Sequence, residues 1–337
     1  MQKILLVFFV SLLNIGVYAQ SQIDSIINLG VQLHDQGMYE AAIEVYKQAL
    51  EIDPASDLAN YEIALTYMSL KNYEEAIKHS DLLLDKKSKY TDLGIVVKAS
   101  CLDDLGKPEE SIKLFESAIK KYGNNNMLCY NLGITYYRQG EIDKAEKTLY
   151  NGIEIDPSHP SSHMMLGLIL SEKENKIPAI LCLHYFLFME PDTERSQQIM
   201  PILKELMSSG ISKTSDNQIT ITIDSDADKK SEWYTAEISL PLLAAVQMTE
   251  ENKLLSETEQ FGLTNSSLFK ILAESKKKKN SGLYWEFYIP FFDALARSDH
   301  FSTFNNYIHM SVDESASQWI TSNPNKIEDW SIWLKEN

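Results

Sequence analysis

Apolar and small residues recur in a fixed order along the first part of this chain. Leu29-Gly30, Leu33, Gly37, Tyr39, Ala42, Tyr46, Ala49 and Pro54 are matched, position for position, by Leu132-Gly133, Tyr136, Gly140, Ile142, Ala145, Leu149, Gly152 and Pro157. A third copy reads Leu166-Gly167, Leu170, Ala179, Leu183, Phe186 and Pro191, and Pro157 and Pro191 stand 34 residues apart. Two weaker copies fall between: Ile63, Ala64, Tyr67, Tyr73, Ala76 and Leu83, then Ala99, Leu102, Gly106, Ser111, Phe115 and Ala118. The spacing predicts five helix–turn–helix units starting near Ile23, Asp57, Asp92, Asn126 and Pro160, with one extra residue around Lys87 to Tyr90. Within a unit, Leu29, Gly30 and Leu33 share one helical face and Ala42, Tyr46 and Ala49 share the next. Gly30 is expected to face a slot left open by Ala42 and Ala49. Gly37 supplies the turn, and Pro54, Pro157 and Pro191 stop the second helix. One helix pair cannot bury both its faces, so neighbouring pairs must stack.

Over roughly Ile23 to Thr193 this pattern resembles the tetratricopeptide repeat family. Units one, four and five carry it most fully. Unit three departs, with Pro108 for the usual aromatic, Ser111 for Ala and Gly123 for the terminal Pro, and unit five has Lys176 where an aromatic is expected. Glu194 to Met207 reads as a capping helix. The resemblance implies that first helices line a concave groove, which places Ile27, Val31 and His34, then Tyr61, Leu65 and Met68, then Val96, Ser100, Asp103 and Asp104 on it. Tyr130, Ile134, Tyr137 and Arg138 follow from unit four, and Met164 and Leu168 from unit five. Asn28 and Asn131, just before each Leu-Gly, resemble family asparagines that bond a bound peptide backbone. The candidate partner-binding set is therefore Asn28, Tyr61, Met68, Tyr130, Asn131, Ile134, Tyr137 and Arg138. Ile27 and Val31 stand where family members that grip a C-terminal carboxylate carry basic and amide residues, which argues against such a clamp. Two occupants of the groove stay open, a partner segment and the C-terminal domain of this chain.

Beyond Ile211 the repeat ends and the composition shifts, with all five tryptophans (Trp233, Trp285, Trp319, Trp330, Trp333) in this part. Gln218 to Asp224 alternates isoleucine and threonine and predicts a strand. Trp233–Val246, Ser267–Ser275, Leu283–Arg297, Phe301–Met310, Glu314–Ile320 and Ile327–Lys335 read as helices, with Pro241 and Pro290 expected to kink two of them. Tyr284 to Tyr288 reads as core. The expected fold is mainly α: a tetratricopeptide-type α-solenoid of five units with a capping helix over residues 20–209, then a mostly helical C-terminal domain with one short strand over residues 210–337.

Composition narrows the function. The formal charge is -17, which disfavours nucleic acid, because phosphate binding draws on clustered Lys and Arg. The run Lys276 to Lys279 reads as a solvated loop. At the N-terminus, Lys3, the apolar stretch Ile4 to Leu13 and the small residues of Val17-Tyr18-Ala19 predict a signal peptide over residues 1–19, cut before Gln20. Export to the periplasm or beyond follows as the expectation, with no permanent membrane anchor, since the apolar stretch is shorter than the roughly 20 residues of a spanning helix. Cys101, Cys129 and Cys182 are odd in number, lack C-x-x-C spacing and read as buried small hydrophobes.

No nucleophile elbow, H-E-x-x-H or phosphate loop appears. His159 and His163 are separated by Pro160 and a turn, and His300 and His309 are scattered. Asp224, Asp226 and Asp228 copy the start of a calcium loop, but Lys229 stands where Gly is required and Thr235 where the bidentate Glu belongs. No cofactor or metal is expected. The reading is a non-catalytic exported adaptor that holds a protein or peptide in its groove, with the C-terminal domain capping or completing the surface. The competing class is an enzyme or small-ligand binder with a pocket between solenoid and C-terminal domain, near Glu286, Asp299 or His300; self-association through exposed solenoid faces is a third.

Overall fold

A computed structural model describes residues 21–84, 88–123, 125–215, 218–222, 229–247, 249 and 252–336. The signal-peptide segment and the Asp224, Asp226, Asp228 turn lie outside the described residues. Two compact units result, Met1–Ala145 and Glu146–Asn337. The division falls inside one helix and marks where chain contacts regroup, whereas the boundary expected near residue 209 marks where the sequence repeat ends.

Unit 1 is a series of antiparallel helix pairs: α1 (residues 21–35) with α2 (Tyr39–Ile52), α3 (Asp57–Ser69) with α4 (Tyr73–Leu84), and α5 (Thr91–Asp104) with α6 (Pro108–Tyr122), followed by α7 (Asn126–Arg138). The described first helices also touch one another, α3 with α5 and α5 with α7. Left-handed turn residues record the period directly: Gly37, Lys71, Gly106, Gly140 and Glu174, the last in unit 2, all have φ between 58° and 75°. Their spacings are 34, 35, 34 and 34 residues, and the one longer interval contains the extra residue near Lys87 to Tyr90. Lys71 and Glu174 hold this conformation with a side chain, at a cost that glycine avoids.

Gly30 is seated against the ring of Tyr46, not in a slot between Ala42 and Ala49. A Cβ added there would lie 2.3 Å from Tyr46 Cε1. Tyr46, Ala42 and Ala49 belong to one core cluster, and all three side chains are fully buried. The departures in unit three are absorbed locally. Pro108 occupies the first turn of α6, where its missing N–H costs nothing, and Gly123 ends α6 at φ 92°.

Unit 2 contains most of α8 (Ile142–Ile155), then the hairpin α9 (Pro160–Glu172) and α10 (Lys176–Met189), and the capping helix α11 (Glu194–Met207). Thr193 and Ser196 close a capping box at the start of α11. A two-stranded antiparallel hairpin follows, β1 (Ile211–Ser215) with β2 (Gln218–Ile221). The last helices are α12 (Tyr234–Val246), α13 (Glu257–Glu274), α14 (Ile289–Arg297), α15 (Phe301–Ile308), α16 (Glu314–Ser322) and α17 (Pro324–Glu336). Tyr284–Tyr288 forms a π-helical turn running into α14. Pro290, in the first turn of α14, has no N–H to continue the tighter ladder. Pro241 is accommodated inside α12.

α10 is buried on nearly every side because α12, the π-turn and α15 pack onto it as well as α9. The groove positions Met164 and Leu168 on α9 remain half-buried. The aromatic core of unit 2 includes the Phe269–Phe292 stack at 4.6 Å and the Trp233–Trp285 stack at 5.0 Å. Glu232 accepts from Trp285 Nε1 and Asn280 Nδ2, each at 2.7 Å.

Candidate binding cleft

In unit 1 the facing sides of α3, α5 and α7 enclose an open cleft of about 380 Å³. Its walls include Met68 and Ser69 from α3, Ser100, Asp103 and Asp104 from α5, and Asn131, Ile134, Thr135 and Arg138 from α7, with Lys71 and Tyr73 at one end. Four residues of the candidate set, Met68, Asn131, Ile134 and Arg138, thus share one site, because first helices of successive units lie side by side. Arg138 Nη1 donates to Asp103 at 3.0 Å and to Asp104 at 3.4 Å. The Asp103 side chain is only 5% exposed against 55% for Arg138, so the guanidinium covers a nearly buried carboxylate while keeping donors toward solvent. Asn131 Nδ2 donates to Met127 O of its own helix at 2.8 Å.

The remaining candidates sit elsewhere. Asn28 is exposed on α1, outside the cleft. Tyr61 is half-buried and stacks on Tyr90 with centroids 6.1 Å apart; burial, and then the Glu62 carboxylate, push its phenol above the usual range. Tyr130 and Tyr137 are half-buried on α7 but do not line this cleft. Ile27, a groove position by resemblance, belongs to the core with Ala42, Tyr46, Ala59 and Ile63, and Val31 packs against that cluster. At α1 the first helix turns these positions inward. His34 Nδ1 bonds Thr66 Oγ1 at 2.8 Å. Thr66 Oγ1 already donates to Glu62 O, so the ring nitrogen is the donor.

Lys71 and Tyr73 were not anticipated at the site. The signal for Lys71 is its place in the turn, where three other units have glycine; its backbone fits that turn while its side chain reaches the cleft. Elsewhere, Cys101, Cys129 and Cys182 are free and buried, and burial pushes the Cys101 and Cys182 thiols up to about 12. His163 is engaged at both nitrogens, with Tyr288 OH at 2.6 Å and Pro157 O at 2.8 Å. His300 lies against the Trp333 ring at 5.7 Å. Among the described residues no three His, Cys, Asp or Glu side chains converge as metal ligands, and no helix is long and apolar enough to cross a membrane.

Comparison with known proteins adds the following. Residues 30–71 match the family described as TPR repeat, and residues 104–169 the family described as Tetratricopeptide repeat. A TPR repeat-containing protein of Methanocaldococcus jannaschii is 27% identical over 121 residues, 35% of this chain and 21% of that protein. The BBSome complex member BBS4 of Bos taurus is 28% identical over 143 residues, 42% of this chain and 27% of that protein. A DnaJ homolog subfamily C member 7 homolog of Schizosaccharomyces pombe is 37% identical over 100 residues, 28% of this chain and 20% of that protein. This chain therefore spans about a fifth to a quarter of the length of these relatives. Among solved structures, a thermophilic TPR protein of Thermus thermophilus is 21% identical, with 55% of this chain and 98% of that chain covered at a TM-score of 0.46. PilF of Pseudomonas aeruginosa is 18% identical, with coverage of 56% and 86% and a TM-score of 0.45.

Proposed function

Since the repeats of this chain belong to the tetratricopeptide repeat family, we propose that it is a non-catalytic scaffold holding a segment of a protein partner along α3, α5 and α7. The observation that carries this reading is the cleft shared by three successive first helices. Met68, Tyr73 and Ile134 offer apolar contact, Asn131 an amide, and Lys71, Arg138, Asp103 and Asp104 charges of both signs. A cleft of this composition suits an amphipathic peptide, which buries apolar side chains while its polar groups find partners. The acidic balance of the chain keeps nucleic acid out of the proposal. Export belongs to it: residues 1–19 are removed before Gln20 and the remainder acts in the periplasm or outside the cell. N-terminal sequencing of the protein from its host tests this part, and an N-terminus that retains residues 1–19 refutes it.

The binding test uses the partner recovered by affinity from the native source, titrated against wild type, Ile134→Glu, and Tyr130→Ala with Tyr137→Ala. Ile134→Glu puts a charge on the cleft wall and weakens binding at least tenfold, while the double tyrosine variant weakens it through the neighbouring α7 face. Far-UV dichroism and melting serve as controls for folding. Wild-type affinity in Ile134→Glu refutes the cleft as the site.

A further inference from the structure

In the core of unit 2, four polar side chains from three helices meet among aromatic rings. They are His184 on α10, Asn265 on α13, Asn305 on α15 and His309 at the C-terminus of α15, none more than 5% exposed. Phe261 touches both histidines, stacked on His184 at 5.9 Å and edge-on to His309 at 5.0 Å. Asn265 lies close enough to His184 to favour its protonated form, yet neither of its amide atoms completes a hydrogen bond. Asn305 packs beside Gly262, where an added Cβ would stand 2.7 Å from its Nδ2.

The bonds these groups make fix what they lack. His184 Nδ1 bonds Ile180 O at 2.8 Å, and His309 Nδ1 bonds Asn305 O at 2.7 Å. A carbonyl only accepts, so each Nδ1 carries the proton. Burial holds both imidazoles at about 4, so each is neutral at pH 7 and its Nε2 is a bare lone pair. Asn305 Nδ2 donates to Thr258 O at 2.7 Å, which fixes that amide's orientation and leaves Oδ1 as the acceptor. His184 Nε2, His309 Nε2, Asn265 Oδ1 and Asn305 Oδ1 are all buried without a partner, and the hydrogens left to give are the two on Asn265 Nδ2 and the second one on Asn305 Nδ2. Four acceptor atoms stand against three available hydrogens on two amide nitrogens.

We propose that this core is a built hydration site whose two ordered waters donate to His184 Nε2, His309 Nε2, Asn265 Oδ1 and Asn305 Oδ1. Each water brings two donors, so two waters match four acceptors, and their own oxygens can accept from Asn265 Nδ2 and from the second hydrogen of Asn305 Nδ2. A neutral guest fits better than a cation. Phe261, Phe269 and Phe292 surround His184, and the nearby carboxylate, Asp313, is engaged by Thr258 Oγ1 and Ser315. A buried cation without a carboxylate partner carries a heavy desolvation cost. The waters would tie α10, α13 and α15 together where apolar contact is interrupted.

The test combines a crystal structure of the full chain at better than about 2 Å with histidine nitrogen NMR. The proposal expects two density peaks at roughly 2.7–3.2 Å from these four acceptors and no anomalous signal. It also expects His184 and His309 in the Nδ1–H tautomer, opposite to His163, whose Nε2 donates to Pro157 O. Direct pairing of Asn265 and Asn305 with the two Nε2 atoms, an anomalous metal peak, or the Nε2–H tautomer at either ring would each overturn it.

Discussion

Replacing Gly30 with alanine adds one methyl group at a close contact between the paired helices of the first repeat. That methyl would lie 2.3, 2.6 and 2.8 Å from Tyr46 Cε1, Cδ1 and Cζ. Carbon atoms rest comfortably at about 3.5–4.0 Å, so the ring must retreat by roughly 1 Å. It has nowhere to go, since Tyr46, Ala42 and Ala49 are all 0% exposed. Helix propensity favours alanine over glycine by about 1 kcal/mol, whereas overpacking a core costs about 1–3 kcal/mol. With a clash this short against an enclosed ring, the second term wins. The expected net loss is about 1–2 kcal/mol, read as a lower urea midpoint by dichroism at 222 nm. In a Tyr46→Leu background the obstruction is gone, and Gly30→Ala becomes neutral or stabilising, so the double-mutant cycle shows strong coupling. A Gly30→Ala protein as stable as wild type, or coupling near zero, refutes the seating of Gly30 against Tyr46.

Three further outcomes follow from single residues or groups. Ser111 sits fully buried in the seat other units give to alanine, with its Oγ unpartnered; Ser111→Ala should stabilise unit 1 by about 1 kcal/mol, and a lower melting temperature contradicts this. Glu174 holds φ 58° at a turn where glycine stands in three other units; Glu174→Gly should stabilise by up to about 1 kcal/mol, and destabilisation argues against the strain. Burial lowers His163, His184 and His309 to about 4, against about 6.5 in an unfolded chain. Between those values the unfolded state binds more protons, so unit 2 loses stability as pH falls from about 6.5 to 4, by on the order of 3 kcal/mol per histidine, and no further below. All five tryptophans lie in unit 2, so urea midpoints by tryptophan fluorescence at pH 7, 5.5 and 4.5 read this directly, and a flat profile refutes it.

The repeat was legible because its constraints are local and recur in phase. Small residues mark close helix contacts, and Gly37, Gly106 and Gly140 mark the turns. Lys71 and Glu174 occupy the same turn conformation, yet nothing in their chemistry announces it. The C-terminal helices were legible mainly in their apolar parts. α13 starts at Glu257, ten residues before the expected Ser267, because Ser256 and Glu259 form a capping box ahead of a stretch interrupted by Gly262. β1 was missed because Ile211–Ser215 is mostly polar and is held by its pairing with β2. At the cleft, the helical frame places Met68, Asn131, Ile134 and Arg138 together. Asn28 and Tyr61 depend on how far each helix rotates against its neighbours, which the repeat does not encode.

Site-specific photo-crosslinking from Ser100, on the cleft wall of α5, compared with Lys113, exposed on α6, bears most directly on how this protein works. With the partner present, an adduct should form from Ser100 and disappear with Ile134→Glu, while Lys113 gives none. Adducts from Lys113 alone, or a Ser100 adduct indifferent to Ile134→Glu, would contradict binding along α3, α5 and α7.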